Sequence, residues 1–187
     1  MSFKVAGLVI AALALMQPAR AQGWIVEPDG YRTEDYRSPV PETLAGARVL
    51  TTAEAEAIWR AKSGVFIDVL PRAPKPKGLP PNTVWRDKPR QDIPGSIWLP
   101  DTGYGILAGA TENYLRQGLA RASGGNMKAL LVIYCLSDCW MSWNAAKRTL
   151  AYGYTDVAWY PEGTDGWARA HLPLAESQPV PRPDESN

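Results

Sequence analysis

Cysteine and histidine are nearly absent from this chain. Its 187 residues include two cysteines, Cys135 and Cys139, and one histidine, His171. One cysteine pair is too few for a disulfide scaffold in a chain this long, and a zinc site usually needs four protein ligands, so no metal is expected. Charge of one sign is lacking as well. The 20 Lys and Arg face 19 Asp and Glu, which argues against a nucleic-acid binder. No repeat is visible. The one long apolar run, "VAGLVIAALALM" (Val5–Met16), has 12 residues, too few to span a bilayer.

That run points to export. Lys4 precedes it and "ARA" (Ala19–Ala21) follows, the pattern of a cleaved signal peptide over residues 1–21. Cleavage also removes Lys4 and Arg20 and leaves 166 residues, enough for one domain with a real core. No membrane segment is expected after cleavage. An oxidising compartment follows, where a disulfide persists.

Residues 22–43 are polar and rich in turn formers, and read as an irregular N-terminal arm. Regular patterning then begins. "ARVL" (Ala47–Leu50) predicts a short strand, and "TTAEAEAIWRAKSG" a helix opened by Thr51 or Thr52 and stopped by Gly64. "VFIDV" (Val65–Val69), "SIWL" (Ser96–Leu99), "ALLVIY" (Ala129–Tyr134) and "DVAWY" (Asp156–Tyr160) read as strands. "TENYLRQGLARAS" (Thr111–Ser123) and "MSWNAAKRTLAY" (Met141–Tyr152) read as helices, the second stopped by Gly153. Residues 71–95 hold seven prolines and six basic residues against two acids, and read as a long structureless connection. Strands alternate with helices, and those ending at Val69 and Tyr134 are apolar on both faces. That pattern predicts an α/β fold with a parallel sheet covered by helices on both sides.

In such sheets ligands bind beyond the carboxyl ends of the strands. "YCLSDCWMSW" (134–143) places Cys135 directly after a strand and just before a helix, with Cys139 in the same tight loop. Three chemistries suit the pair: a structural staple, part of a metal site, or a reactive couple. The only histidine lies far along the chain, which disfavours metal. Trp140, Trp143, Trp159 and Trp167 read as core rather than as an aromatic wall for a ligand, and His171 as a surface residue before a C-terminal turn.

Several stretches together resemble a rhodanese (sulfurtransferase) domain over residues 44–175. "VFIDVL" resembles its first-strand motif, "DIPGSIWLP" (Asp92–Pro100) its "GHIPGA" motif, "LVIYC" the strand leading to the active cysteine, and "GYTDVAWYPEGTDGWARAHLPL" (Gly153–Leu174) its ending. "DCWMSWNAAKR" with "IPGSIWLP" and "GTDGW" is similar to the exported rhodanese-like group named for a CXXCW motif and for pyrroloquinoline quinone (PQQ)-dependent catabolism. The resemblance implies a rhodanese-like parallel five-stranded sheet, a periplasmic setting, and a PQQ-dependent dehydrogenase or its cytochrome c as partner, with no cofactor of the chain's own. Residues 176–187 would be a flexible tail.

The resemblance implies Cys135 as the sulfur-bearing position, with Leu136, Ser137, Asp138, Trp140, Met141 and Ser142 forming the active-site loop and the helix start. Loop amides and the helix N-terminus would stabilise a thiolate and then a persulfide. This chain departs from the pattern at four positions. Asp138 replaces the loop's usual glycine, Trp140 a frequent arginine, Asp92 the "GHI" histidine, and Leu70 the arginine that often follows "DV". Ordinary thiosulfate:cyanide transfer is therefore not expected. Cys139 is placed to attack a persulfide or mixed disulfide on Cys135. A bridge across so short a loop adds only about 2 kcal/mol, which favours a reactive pair over a staple. The expected function is sulfane-sulfur transfer or thiol–disulfide redox at Cys135 with Cys139. The alternative is a non-catalytic accessory protein, docked through the arm and the basic proline-rich loop.

Overall fold

The computed structural model describes residues 25–73, 76–80, 82–83 and 89–182. The expected signal peptide lies outside the described residues. In chain order the elements are β1 (Arg48–Val49), α1 (Thr52–Ala61), β2 (Val65–Asp68), β3 (Arg90–Asp92), β4 (Ile97–Trp98), α2 (Gly109–Ser123), β5 (Leu131–Tyr134), α3 (Trp140–Ala151), β6 (Val157–Tyr160), α4 (Gly163–Arg169) and β7 (Ala175–Ser177). Five strands form one sheet in the order β1-β6-β5-β2-β4, and every pairing is parallel. This is the α/β fold that the rhodanese resemblance implies.

Side-chain alternation along the central strands divides the core into two layers. Ile67, Leu131, Ile133, Val157 and Trp159 face one side, where α2 supplies Tyr114, Leu115 and Leu119, and α3 supplies Trp143 and Ala146. Phe66, Val132, Tyr134, Ala158 and Tyr160 face the other, against Ala55 of α1 and Trp167 of α4. Strands buried on both faces cannot alternate with polar residues, which explains the continuous apolar runs in the sequence.

Thr51 caps α1 through a reciprocal box. Its hydroxyl accepts from the Glu54 N–H at 3.3 Å, and the Glu54 carboxylate accepts from the Thr51 N–H at 2.8 Å. The stop expected at Gly64 comes two residues earlier. Lys62 takes the left-handed turn at φ 52 and bonds back to the Ile58 and Trp59 carbonyls. Gly64 instead permits close packing, since a Cβ there would lie 2.9 Å from both Ile58 and Leu130. Gly153 ends α3 as expected, at φ 97.

Two expected irregular stretches are corrected. Within 71–95, β3 pairs antiparallel with β7, which lies at the edge of the expected flexible tail. Residues 178–182 are also fixed. Val180 donates its N–H to Trp98 and its carbonyl accepts from the Tyr114 hydroxyl, while Arg182 pairs with Asp101 at 2.8 Å. The arm from residue 25 to 46 has neither helix nor strand, but runs along α3. Asn144 of α3 accepts from the Arg32 N–H and donates to the Arg32 carbonyl, and Lys147 donates to the carbonyls of Pro28 and Asp29.

Candidate functional site at the cysteine loop

β5 is the middle strand of the sheet and delivers Cys135 at its carboxyl end. Cys135 and Cys139 form a disulfide with their Cα atoms 6.3 Å apart, and both are enclosed, at 0% and 1% exposure. The turn that brings them together falls on Asp138, which adopts φ 51. Aspartate tolerates this left-handed conformation better than most residues, so it can stand where glycine would be easiest. Its side chain is exposed.

α3 begins at Trp140, one residue before the expected start, and Cys139 is its N-cap. Trp140, Met141 and Ser142 are therefore the buried first turn of a helix rather than the lining of an open loop. Among the described cysteine-loop residues, Leu136 and Ser137 are partly exposed and Asp138 is open to solvent. Trp143, Trp159 and Trp167 are fully buried and Trp140 is nearly so. The Trp140 indole N–H donates to Pro39 and Ser38, those of Trp143 and Trp159 to Thr43 and Ser142, and that of Trp167 to Pro173. They form core, as the sequence suggested. His171 is exposed just past α4.

Two of the amides expected to point at a sulfur anion, those of Ser137 and Trp140, are bound elsewhere. The Ser137 N–H donates to an Asp165 carboxylate oxygen at 3.0 Å, and the Ser137 hydroxyl donates to the Glu162 carbonyl at 2.9 Å. The Trp140 N–H donates to the carbonyl of Tyr36 on the arm at 3.0 Å. The Cys135 carbonyl accepts from the Thr164 N–H at 3.1 Å. Gly163 sits so close that a Cβ would collide with that carbonyl, and its φ of 51 suits glycine. The carboxylate that meets the loop backbone is thus Asp165.

A buried polar cluster braces the loop from the opposite sheet face. The Asp68 carboxylate pairs with the Arg90 guanidinium at 2.6 Å, and Arg90 also donates to the Thr164 hydroxyl at 3.1 Å. Arg90, one of the six basic residues of the proline-rich connection, is therefore largely buried. Asp92 accepts a short hydrogen bond from the Tyr134 hydroxyl, which also bonds to Ser96 at 2.6 Å. Burial, reinforced by the neighbouring Asp68 charge, pushes Asp92 up to about 7. Burial also pushes Asp68 upward, against the pull of Arg90. The second Asp92 oxygen has no hydrogen-bond partner, which suits a carboxyl that keeps its proton. Tyr134 ends β5 and packs in one layer, whereas Cys135, the next residue, packs in the other. The link between cluster and loop is Thr164.

Sequence reasoning missed Asp165, Thr164, Arg90 and Tyr134 as site residues. In the sequence "GTDGW" stands out only through the family resemblance, and Asp92 only as the start of "DIPGSIWLP" and the replacement of a histidine. Among the described residues, no group of three or more His, Cys, Asp and Glu is placed to hold a metal ion. A cavity of about 290 Å³ lies beside Trp140, bounded by Ile25, Val26, Tyr31 and Arg32 of the arm.

The class defined by these features is an α/β protein with a disulfide loop at the carboxyl edge of a parallel sheet. No family model matches the chain, and no curated protein matches it in sequence. Solved structures similar to it include a thiosulfate sulfurtransferase from Pseudomonas aeruginosa, at 19% identity and TM-score 0.49 over 71% of this chain and 21% of that one. Also similar are the polysulfide-sulfur transferase homodimer from Wolinella succinogenes (16% identity, TM-score 0.44, 70% of this chain and 80% of that one) and an uncharacterized protein from Saccharomyces cerevisiae (18%, 0.41, 66% and 92%). The chain therefore spans about a fifth of the length of the first of these.

Proposed function

We propose that this chain is a rhodanese-like thiol protein in which Cys135 and Cys139 interconvert between dithiol and disulfide while handling sulfane sulfur. The observation that carries this is the disulfide itself, set between the end of the central strand and the N-cap of α3. A helix N-terminus favours negative charge, so Cys139 is the sulfur better able to leave as a thiolate. An incoming thiolate then bonds to the Cys135 sulfur as the S–S bond breaks and its electron pair goes to Cys139. Run the other way, a persulfide on Cys135 is attacked at its inner sulfur by the Cys139 thiolate. The disulfide forms and hydrosulfide departs, the sulfane sulfur being reduced and the two thiols oxidised. A periplasmic site and a PQQ-dependent dehydrogenase or its cytochrome c as partner belong to the same proposal, on the strength of the sequence resemblance.

The test uses inorganic polysulfide on the reduced protein. We expect the wild type to release hydrosulfide and recover the disulfide, Cys139→Ser to retain a persulfide on Cys135, and Cys135→Ser to do neither. Equal hydrosulfide release from Cys135→Ser would overturn the assignment. A second reading, a non-catalytic docking module, is favoured by the burial of both sulfurs. On that reading Cys135→Ser keeps full activity in the host's PQQ-dependent alcohol oxidation.

A further inference from the structure

Donors of the kind that bind an oxyanion lie beside the disulfide. Ser137, midway between the cysteines, offers a backbone N–H, and the Arg169 guanidinium comes within 3.4 Å of the Ser137 hydroxyl oxygen. Each is already taken by a carboxylate of the segment around α4. The Ser137 N–H is held by Asp165, and Arg169 pairs with Glu162 at 3.3 Å. Asp138 adds a further acid within the loop. Three carboxylates and one guanidinium thus surround a five-residue loop, and one carboxylate occupies the amide a donor anion would need.

We propose that Asp165 is a specificity-determining residue that slows sulfur oxyanions at the Cys135–Cys139 bridge relative to nucleophiles that carry no oxyanion group. The proposal rests on the bridge being a reversible couple. Asp165 acts in two ways. Its oxygen fills the hydrogen-bonding site on Ser137, and its charge repels an approaching anion across a distance too short for salt to screen fully. This differs from an oxyanion cradle, where free amides draw the anion in.

The experiment compares two probes on folded protein. Sulfite is the anionic one: it attacks a bridge sulfur, forming an S-sulfonate and releasing the other cysteine as a thiolate. Tris(hydroxypropyl)phosphine is the neutral one: phosphorus attacks sulfur, the S–S bond breaks, and water completes the phosphine oxide and two thiols. Rates are followed by thiol release and intact mass in the wild type and in Asp165→Asn. Asparagine keeps an acceptor oxygen for the Ser137 N–H, so the variant removes charge while retaining the loop's hydrogen bond. We expect Asp165→Asn to raise the sulfite rate by about tenfold, with the phosphine rate changed less than about twofold, as removal of one nearby charge requires. Added salt should accelerate the wild-type sulfite reaction more than that of the variant. Equal acceleration by both probes, or an unchanged sulfite rate, would overturn the proposal by leaving Asp165 a structural role only. A bridge in the folded wild type that resists the neutral phosphine would instead remove the redox couple on which the proposal rests.

Discussion

Asp92 lies beside a second carboxylate on the sheet face opposite the cysteines, yet it shapes the protein's response to pH. An aspartate in the unfolded chain loses its proton near 3.8, whereas burial and the Asp68 charge hold the Asp92 proton to about 7. Between those values the folded state binds more protons than the unfolded one, so stability falls as pH rises. The contribution is fully present below the unfolded value and is lost as pH passes through about 7. Asp68, also raised, acts in the same direction. Urea unfolding at about pH 5 and about pH 8 should therefore show a wild type favoured at the lower pH, with most of the difference absent in Asp92→Asn. Identical pH dependence in the two proteins would contradict this assignment. The sequence named Asp92 only by what it replaced, because a carboxyl's pKa depends on neighbours from β2 and β5 that linear order does not reveal.

At the scale of elements, α3 is enclosed on nearly every side, and the arm supplies the outer cover. The long strands and helices were legible because apolar period and caps mark them locally: Thr51 with Glu54, Gly153, and the runs at Val65 and Leu131. β3, α4 and β7 were not. β3 is "RQD" and β7 is "AES", both polar and three residues long, and α4 has seven residues of which two are glycine. The arm's path was equally hidden, since it is held mainly through backbone carbonyls that any sequence possesses. Asn144 is the exception and the weak point. It is fully buried, and its amide bonds to Arg32 on the arm and to Gly103. Asn144→Ala leaves those backbone groups unpaired and should cost about 2–3 kcal/mol. It should also loosen the arm over Trp140. Limited proteolysis should cut the variant within residues 25–43 before the domain is cut, and a neutral phosphine should reduce its disulfide faster. Arm cleavage and reduction rates equal to the wild type would contradict the covering role.

For the whole molecule, the fold does not depend on its one bridge. Two packed layers on a five-stranded sheet hold the domain, while closing a loop this short adds only about 2 kcal/mol. The position of the bridge, at the carboxyl edge where parallel sheets place ligand chemistry, was legible from strand and helix order alone. The enclosure of its sulfurs was not, because the core layer that holds both cysteines is assembled from residues far apart in sequence, Leu44, Tyr114 and Trp159 among them. Reduction should accordingly leave a folded protein with both thiols present. The most direct test is a glutathione redox series with differential alkylation and mass spectrometry of the loop peptide. If Cys135 and Cys139 are a reversible couple, both become alkylatable together in one two-electron transition, and reoxidation restores the bridge. A disulfide that stays closed across the whole series would show a static staple, and thiols that react independently at every potential would show no couple at all.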